Sequence, residues 1–154
     1  MTAFEDVKQA FYHYIENDVD FFHYFELDEE ECMEVAGQRA EVLLKEATSY
    51  LSRKMVVENV FSKQEGEYFT ETLNDSEINL LVKAMFLTYL QRDLTMLRTF
   101  HGVMTSSDLN LYSPANERKT FVAMVQQYED NLKIEISDYQ MTDRTTGGFI
   151  QICV

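Results

Sequence analysis

The sequence predicts an all-α fold: a bundle of about four helices, a short hairpin or loop between the second and third, and an extended β-prone C-terminal tail. Two observations carry that prediction. Five Gly and one Pro in 154 residues leave little material for a turn-rich sheet protein, whereas Leu, Glu, Ala, Met and Gln, all good helix formers, are abundant. Apolar residues also recur every three or four positions over most of the chain, the period that gathers them on one side of a helix. Hydrophobic residues at 45% and charged residues at 26% are the balance of a chain that folds. Its length suits one core rather than two, so we expect a helical domain over residues 1–138 and a tail over 139–154.

Phe4, Val7, Phe11, Tyr14, Ile15 and Val19 fall on one stripe, which predicts a first helix from Ala3 to about Phe25. Asp28 with Glu31 has the form of a capping box, and acids there suit the positive helix end. The second helix follows on Cys32, Val35, Ala36, Ala40, Leu43, Leu44, Ala47, Tyr50 and Leu51, and ends near Arg53-Lys54. Residues 55–73 change character, with Val and aromatic pairs around a polar stretch holding Gly66, and read as a hairpin or ordered loop. Asn74 and Glu77 form a second possible capping box. The run from Ile78 to Leu90 is apolar nearly all round, which marks a central buried helix extending to His101-Gly102. Ser113-Pro114 opens a fourth helix, to about Asp138, on Phe121, Val125, Tyr128, Leu132 and Ile136. The remainder is polar to Thr146 and ends in the β-prone run Phe149-Ile150-Gln151-Ile152-Cys153-Val154.

A formal charge of −14 opposes binding to a phosphate backbone, since that affinity rests on Lys and Arg. The acid is concentrated early: Glu5, Asp6, Glu16, Asp18, Asp20, Glu26 and Asp28 to Glu31 face a single nearby base, Lys8. A solvated face and a helix cap are the plain reading; a negative wall lining a channel is the sharper one. Cys32 and Cys153 make no CxxC pair and no disulfide framework, which suits a reducing compartment. A basic leader and an apolar run of membrane-spanning length are both missing, so neither secretion nor membrane insertion is expected.

His13, His23 and His101 are scattered and give no nucleophile spacing, so no catalytic residue and no cofactor are expected. Asp20-Phe21-Phe22-His23 echoes the Glu-x-x-His of di-iron bundles, but those need a second copy, and none is present. No metal site is assigned. The aromatic and Met residues of the first and third helices read as core. The tail differs, because a strand there needs a sheet that the rest of the chain hardly offers, and pairing with a partner's sheet edge would supply one.

The run Phe69, Leu73-Asn74-Asp75-Ser76-Glu77-Ile78, Leu80, Met85 and Tyr89-Leu90, followed after a linker by Leu111-Tyr112-Ser113-Pro114-Ala115-Asn116, resembles the head–tail connector (adaptor) proteins of long-tailed phages. In that family an acid-capped helix holding a Met and an aromatic precedes a Tyr-Ser-x-Ala-Asn turn into the last long helix. The residues that carry the likeness are Asp75, Glu77, Met85, Tyr112, Ser113, Pro114 and Asn116; Tyr89 stands where members often have Trp. The resemblance implies a non-enzymatic virion protein of the head–tail interface, present in the host cytoplasm during assembly. It implies a ring of identical copies, twelve by the portal's symmetry, docked on the portal protein after DNA packaging and presenting a platform to the next neck protein. Packaged DNA would only pass through the lumen, and no membrane is involved. The tail would enter the portal as an added strand, with Gly147-Gly148 as its hinge and Phe149, Ile150, Gln151, Ile152, Cys153 and Val154 as the contact. The alternative is a small acidic regulator that mimics DNA charge in a host protein's basic groove.

Overall fold

In the computed structural model, which describes residues 1–22, 27–55, 59–103 and 114–150, helices dominate as the composition predicts. Strand β1 (Thr2–Ala3) leads into helix α1 (Phe4–Tyr14), a single turn α2 (Val19–Phe22) and the long helix α3 (Glu29–Lys54). A 3₁₀ turn at Val60–Ser62 precedes β2 (Gln64–Glu65) and β3 (Tyr68–Phe69). Helices α4 (Asp75–Val103) and α5 (Pro114–Gln140) complete the bundle.

Both capping boxes form. Asp28 Oδ1 accepts from the Glu31 amide at 2.9 Å while Glu31 Oε2 accepts from the Asp28 amide at 3.2 Å. Asn74 Oδ1 accepts from the Glu77 amide at 2.9 Å, and Glu77 Oε2 from the Asn74 amide at 2.8 Å. Each box occupies two amide donors that a helix start leaves without partners.

The first helix is shorter than its stripe suggests. It stops at Tyr14 instead of running to Phe25, because Glu16-Asn17-Asp18 turn the chain. The Asp18 amide bonds back to the Ile15 carbonyl at 2.8 Å, and the Asp18 carboxylate then accepts from the Phe21 amide at 3.3 Å and starts α2. Asn and Asp compete with the helix by bonding neighbouring backbone, so they favour such a break. Its effect is to swing Phe21, fully buried, edge-on to Phe11 at 5.6 Å and to Tyr89 at 5.6 Å. The Arg39 guanidinium lies over the Phe21 ring, 4.6 Å from its centroid. The Tyr89 hydroxyl donates to Asp18 Oδ2 at 2.9 Å.

Of the hairpin or loop expected over 55–73, residues 64–69 form a hairpin. Its two-residue turn is Gly66-Glu67, with Gly66 at φ +60°, a value that glycine reaches without penalty. The hairpin gains a third strand that no period-2 pattern announced. β1 pairs antiparallel with β3, in the order β1-β3-β2, with Thr2 opposite Phe69 and Ala3 opposite Tyr68. Two-residue strands are too short to alternate visibly.

The core runs between α1, α3, α4 and α5. Val7, Phe11, Ala36, Ala40, Leu43, Leu44, Leu51, Phe61, Leu81, Met85 and Leu132 are all at most 2% exposed. Burial of a large apolar side chain of this kind contributes roughly 1.5–3 kcal/mol. The spacing Ala36, Ala40, Ala47 places small residues along α3 where neighbouring helices come near. No described helix is long and apolar enough to cross a membrane.

Candidate functional site

Helix α5 continues two residues past the predicted boundary, to Gln140, where the Met141 amide bonds back to the Ser137 and Asp138 carbonyls at 3.2 Å each. Of the tail expected over 139–154, residues 139–140 are helical and residues 141–150 fold back on themselves. The Asp143 amide donates to the Gly148 carbonyl at 2.7 Å, Gly147 to the Asp143 carbonyl at 2.8 Å, and Ile150 to the Met141 carbonyl at 2.8 Å. Thr142 and Phe149 form an isolated antiparallel bridge. Phe149, the first residue of the β-prone run, thus finds a partner within its own arm. Gln151, Ile152, Cys153 and Val154 lie outside the described residues.

Asp143 organises this turn. Its Oδ1 accepts from the Thr145 amide at 2.7 Å, the Thr145 hydroxyl at 2.5 Å and the Thr146 amide at 2.9 Å. Those donors, the Thr145 side chain first, stabilise the ionised form and draw the carboxyl down to about 2. Gly147 sits at φ +67°, so it turns the chain where other residues are strained; Gly148 shows no such value. Of the expected glycine hinge, the first member therefore carries the change of direction.

A single arginine fixes the arm to the bundle. Arg144 Nε donates to Glu77 Oε1 at 2.5 Å and its Nη2 to Glu77 Oε2 at 3.1 Å. Nη2 also reaches the Thr72 carbonyl at 2.6 Å, and Nη1 reaches Glu71 Oε2 at 2.5 Å. Glu77 is 0% exposed. Besides the arginine it accepts from the Tyr139 hydroxyl at 2.5 Å and from the Asn74 amide, so four donors meet a carboxylate that has about four lone-pair sites. The residue expected to cap α4 is thus also the buried counter-ion of the arm. Glu71 is shared with Lys63 Nζ at 2.5 Å, and this hydrogen bond, first among several cationic contacts, holds its carboxyl below the usual range. Arg144, Tyr139 and Glu71 were not singled out from the sequence, though Arg144 is the only Lys or Arg after Lys133 in a strongly acidic chain.

Beyond the anchor the arm is open. Phe149 is 81% exposed and Ile150 48% exposed, next to Met141 at 58% and with Ile134 of α5 at 60%. Clefts of about 330 and 320 Å³ flank the turn. Asn79, Leu80, Glu135 and Asp138 contribute to the first, and Gln140, Thr145 and Ile150 to the second. The arm is therefore held by polar bonds more than by apolar packing.

No protein-family model matches the chain, and it has no match among curated proteins or solved structures.

The other singled-out residues are distributed as follows. Asp75 opens α4 and is exposed, Met85 is fully buried, and Pro114 and Asn116 lie in the first turn of α5. Tyr112 and Ser113 lie outside the described residues, as does His23 of the Asp20–His23 pattern. Among the described residues, no group of three or more His, Cys, Asp or Glu side chains could hold a metal ion. Within the early acidic segment, Asp18 and Asp28 serve as caps and Glu16 pairs with His13 at 3.3 Å, which accords with the plain reading for those three.

Proposed function

We propose that this protein is a structural head–tail connector: a portal-binding adaptor that forms a ring on the portal vertex, links it to the next neck protein, and docks through its C-terminal arm. The carrying observation is the arm itself. Residues 141–150 are fixed at their base by Arg144 and end in Phe149 and Ile150, two apolar side chains turned to solvent on a backbone paired on one side only. A folded-back arm paired on one side is suited to strand addition along its other side, in which main-chain hydrogen bonds give affinity and alternate side chains give specificity.

The mostly helical bundle and the Asn74–Glu77 capping box agree with the family likeness read from residues 69–116. One short strand binds weakly, but a ring of identical arms meeting a ring of identical acceptors gains through effective concentration. The role is one of assembly, without catalysis or a cofactor. An acidic surface suits a channel through which DNA slides without adhering.

The test is addition of the full-length chain, and of a chain ending at Thr146, to the portal oligomer of the same genome, with electron microscopy as the readout. An added ring with the full chain and none with the shortened one is expected. Binding by neither overturns the adaptor reading and favours the acidic regulator, whose binding through carboxylates would weaken steeply with salt. Equal binding by both retains the adaptor role and removes the arm from it.

A further inference from the structure

Arg144 spans a connector that also holds the start of the chain. The connector, taken as residues 71–74 with the first turn of α4 to Glu77, follows β3. On one side the Leu73 amide donates to the Thr2 hydroxyl oxygen at 2.8 Å in a buried position, β1 pairs with β3, and the Phe4 amide reaches the Glu67 carbonyl at 2.9 Å. On the other side the Arg144 guanidinium grips Glu71 and the Thr72 carbonyl ahead of Leu73, and Glu77 after it. Thr2 and Arg144 are therefore fastened to adjacent residues of one short segment, Thr2 at the Leu73 amide and Arg144 at Glu71, the Thr72 carbonyl and Glu77. Lys63 on Glu71 extends the tie to the hairpin.

From this arrangement we infer that Arg144 is a coupling device, through which displacement of the arm loosens the connector and, with it, the β1 strand. The arm's apolar side chains, Met141, Phe149 and Ile150, are largely exposed, so little apolar packing resists its movement as a unit. When the guanidinium leaves, the Thr72 carbonyl loses a donor that the structure gives it, and Glu77 is left buried with only Tyr139 and the Asn74 amide. Water must then enter around residues 71–77, where the Leu73–Thr2 bond is the next to be exposed. Such coupling is reciprocal, so loosening β1 must also loosen Arg144. This follows from the bonding pattern alone and holds whichever partner grips the arm.

The test is amide exchange in the full chain for Arg144→Gln and for the double variant Arg144→Gln/Glu77→Gln. The double variant removes both charges and so separates coupling from the stranding of a buried carboxylate. The Leu132 amide in α5 reports global opening. Exchange at Leu73 and Phe4 about tenfold faster than the change at Leu132, in both variants, is expected, within the range typical of coupled sites. In the reverse direction, Thr2→Val should speed exchange of the Arg144 Nε–H by a similar factor over Leu132. If Leu73 and Phe4 change no more than Leu132 in both variants, or if Thr2→Val leaves the Arg144 Nε–H unmoved, the arm and the strand are independent and the inference fails.

Discussion

Arg144 and Glu77 stand 67 residues apart in the chain, yet the arginine Nε donates to the buried glutamate Oε1 at 2.5 Å. The pair joins the turn that follows α5 to the first turn of the central helix α4. Because Glu77 is fully buried and Arg144 retains some exposure, the two partners contribute unequally: the arginine can return to water, whereas the glutamate cannot.

Replacement of Arg144 by Gln should accordingly be costly. Removing one member of a buried ion pair leaves an uncompensated charge, and about 3 kcal/mol is expected here, at the low end of the range because the arginine is partly exposed. For a chain of this length that lowers the melting temperature by roughly 10 °C. The double variant with Glu77→Gln should recover part of the loss. Thermal unfolding checks both; a single variant that melts with the native protein would show that the pair holds nothing.

Two truncations separate the anchor from the arm it carries. A chain ending at Thr146 keeps Arg144 and should melt within a few degrees of the full chain. A chain ending at Asp143 loses the guanidinium and should fall as far as the Arg144→Gln variant. Equal melting of the two shortened chains would contradict an anchor at Arg144.

The local parts of this arrangement are legible in the sequence and the distant parts are not. The two capping boxes can be read because each lies within four consecutive residues, and the starts of α3 and α4 follow from them. The break after Tyr14 is hidden because Phe4, Val7, Phe11, Ile15 and Val19 keep helical spacing straight through it; the competing signal, Asn17-Asp18, acts through side-chain bonds to backbone that a hydrophobic period does not register. β1 is two residues long and has no period at all. Glu77 is legible as a cap, but nothing local says that it is buried or that its counter-ion is Arg144. The available hint was chemical: a lone base in the last stretch of a chain of charge −14 has carboxylates to find.

Acid should loosen the turn of the arm in a defined window. The Asp143 carboxyl is drawn from an ordinary 3.8 down to about 2 by donors that exist only in the folded turn. A lowered value in the folded state means that the stabilisation is complete above the unfolded value and is lost as pH falls through the folded one. The Thr145 and Thr146 amides should therefore keep their protection at pH 5 and lose it between about pH 4 and pH 2. An NMR titration of the Asp143 carboxyl carbon follows the same event directly, and a midpoint at 3.8 would contradict it. Asp143→Asn should flatten the dependence.

Tyr89→Phe tests the aromatic junction that the break after Tyr14 creates. The variant keeps the ring against Phe21 and removes only the hydroxyl that donates to Asp18. A loss of about 1 kcal/mol in denaturant unfolding is expected, the usual net worth of one such bond. No change would mean that Asp18 holds α2 in place through the Phe21 amide alone.

Backbone protection of the arm on a partner tests the proposed role most directly. Amide exchange would be followed at Phe149 and Ile150 in the full chain, free and with the portal oligomer of the same genome added at ordinary ionic strength. Strand addition should bring new protection at Phe149, while the Ile150 amide, already bonded to the Met141 carbonyl at 2.8 Å, and the bonds at the Arg144 anchor persist. Protection that appears instead along the acidic start of α3, from Glu29 to Glu34, with Phe149 and Ile150 unchanged, would contradict docking through the arm.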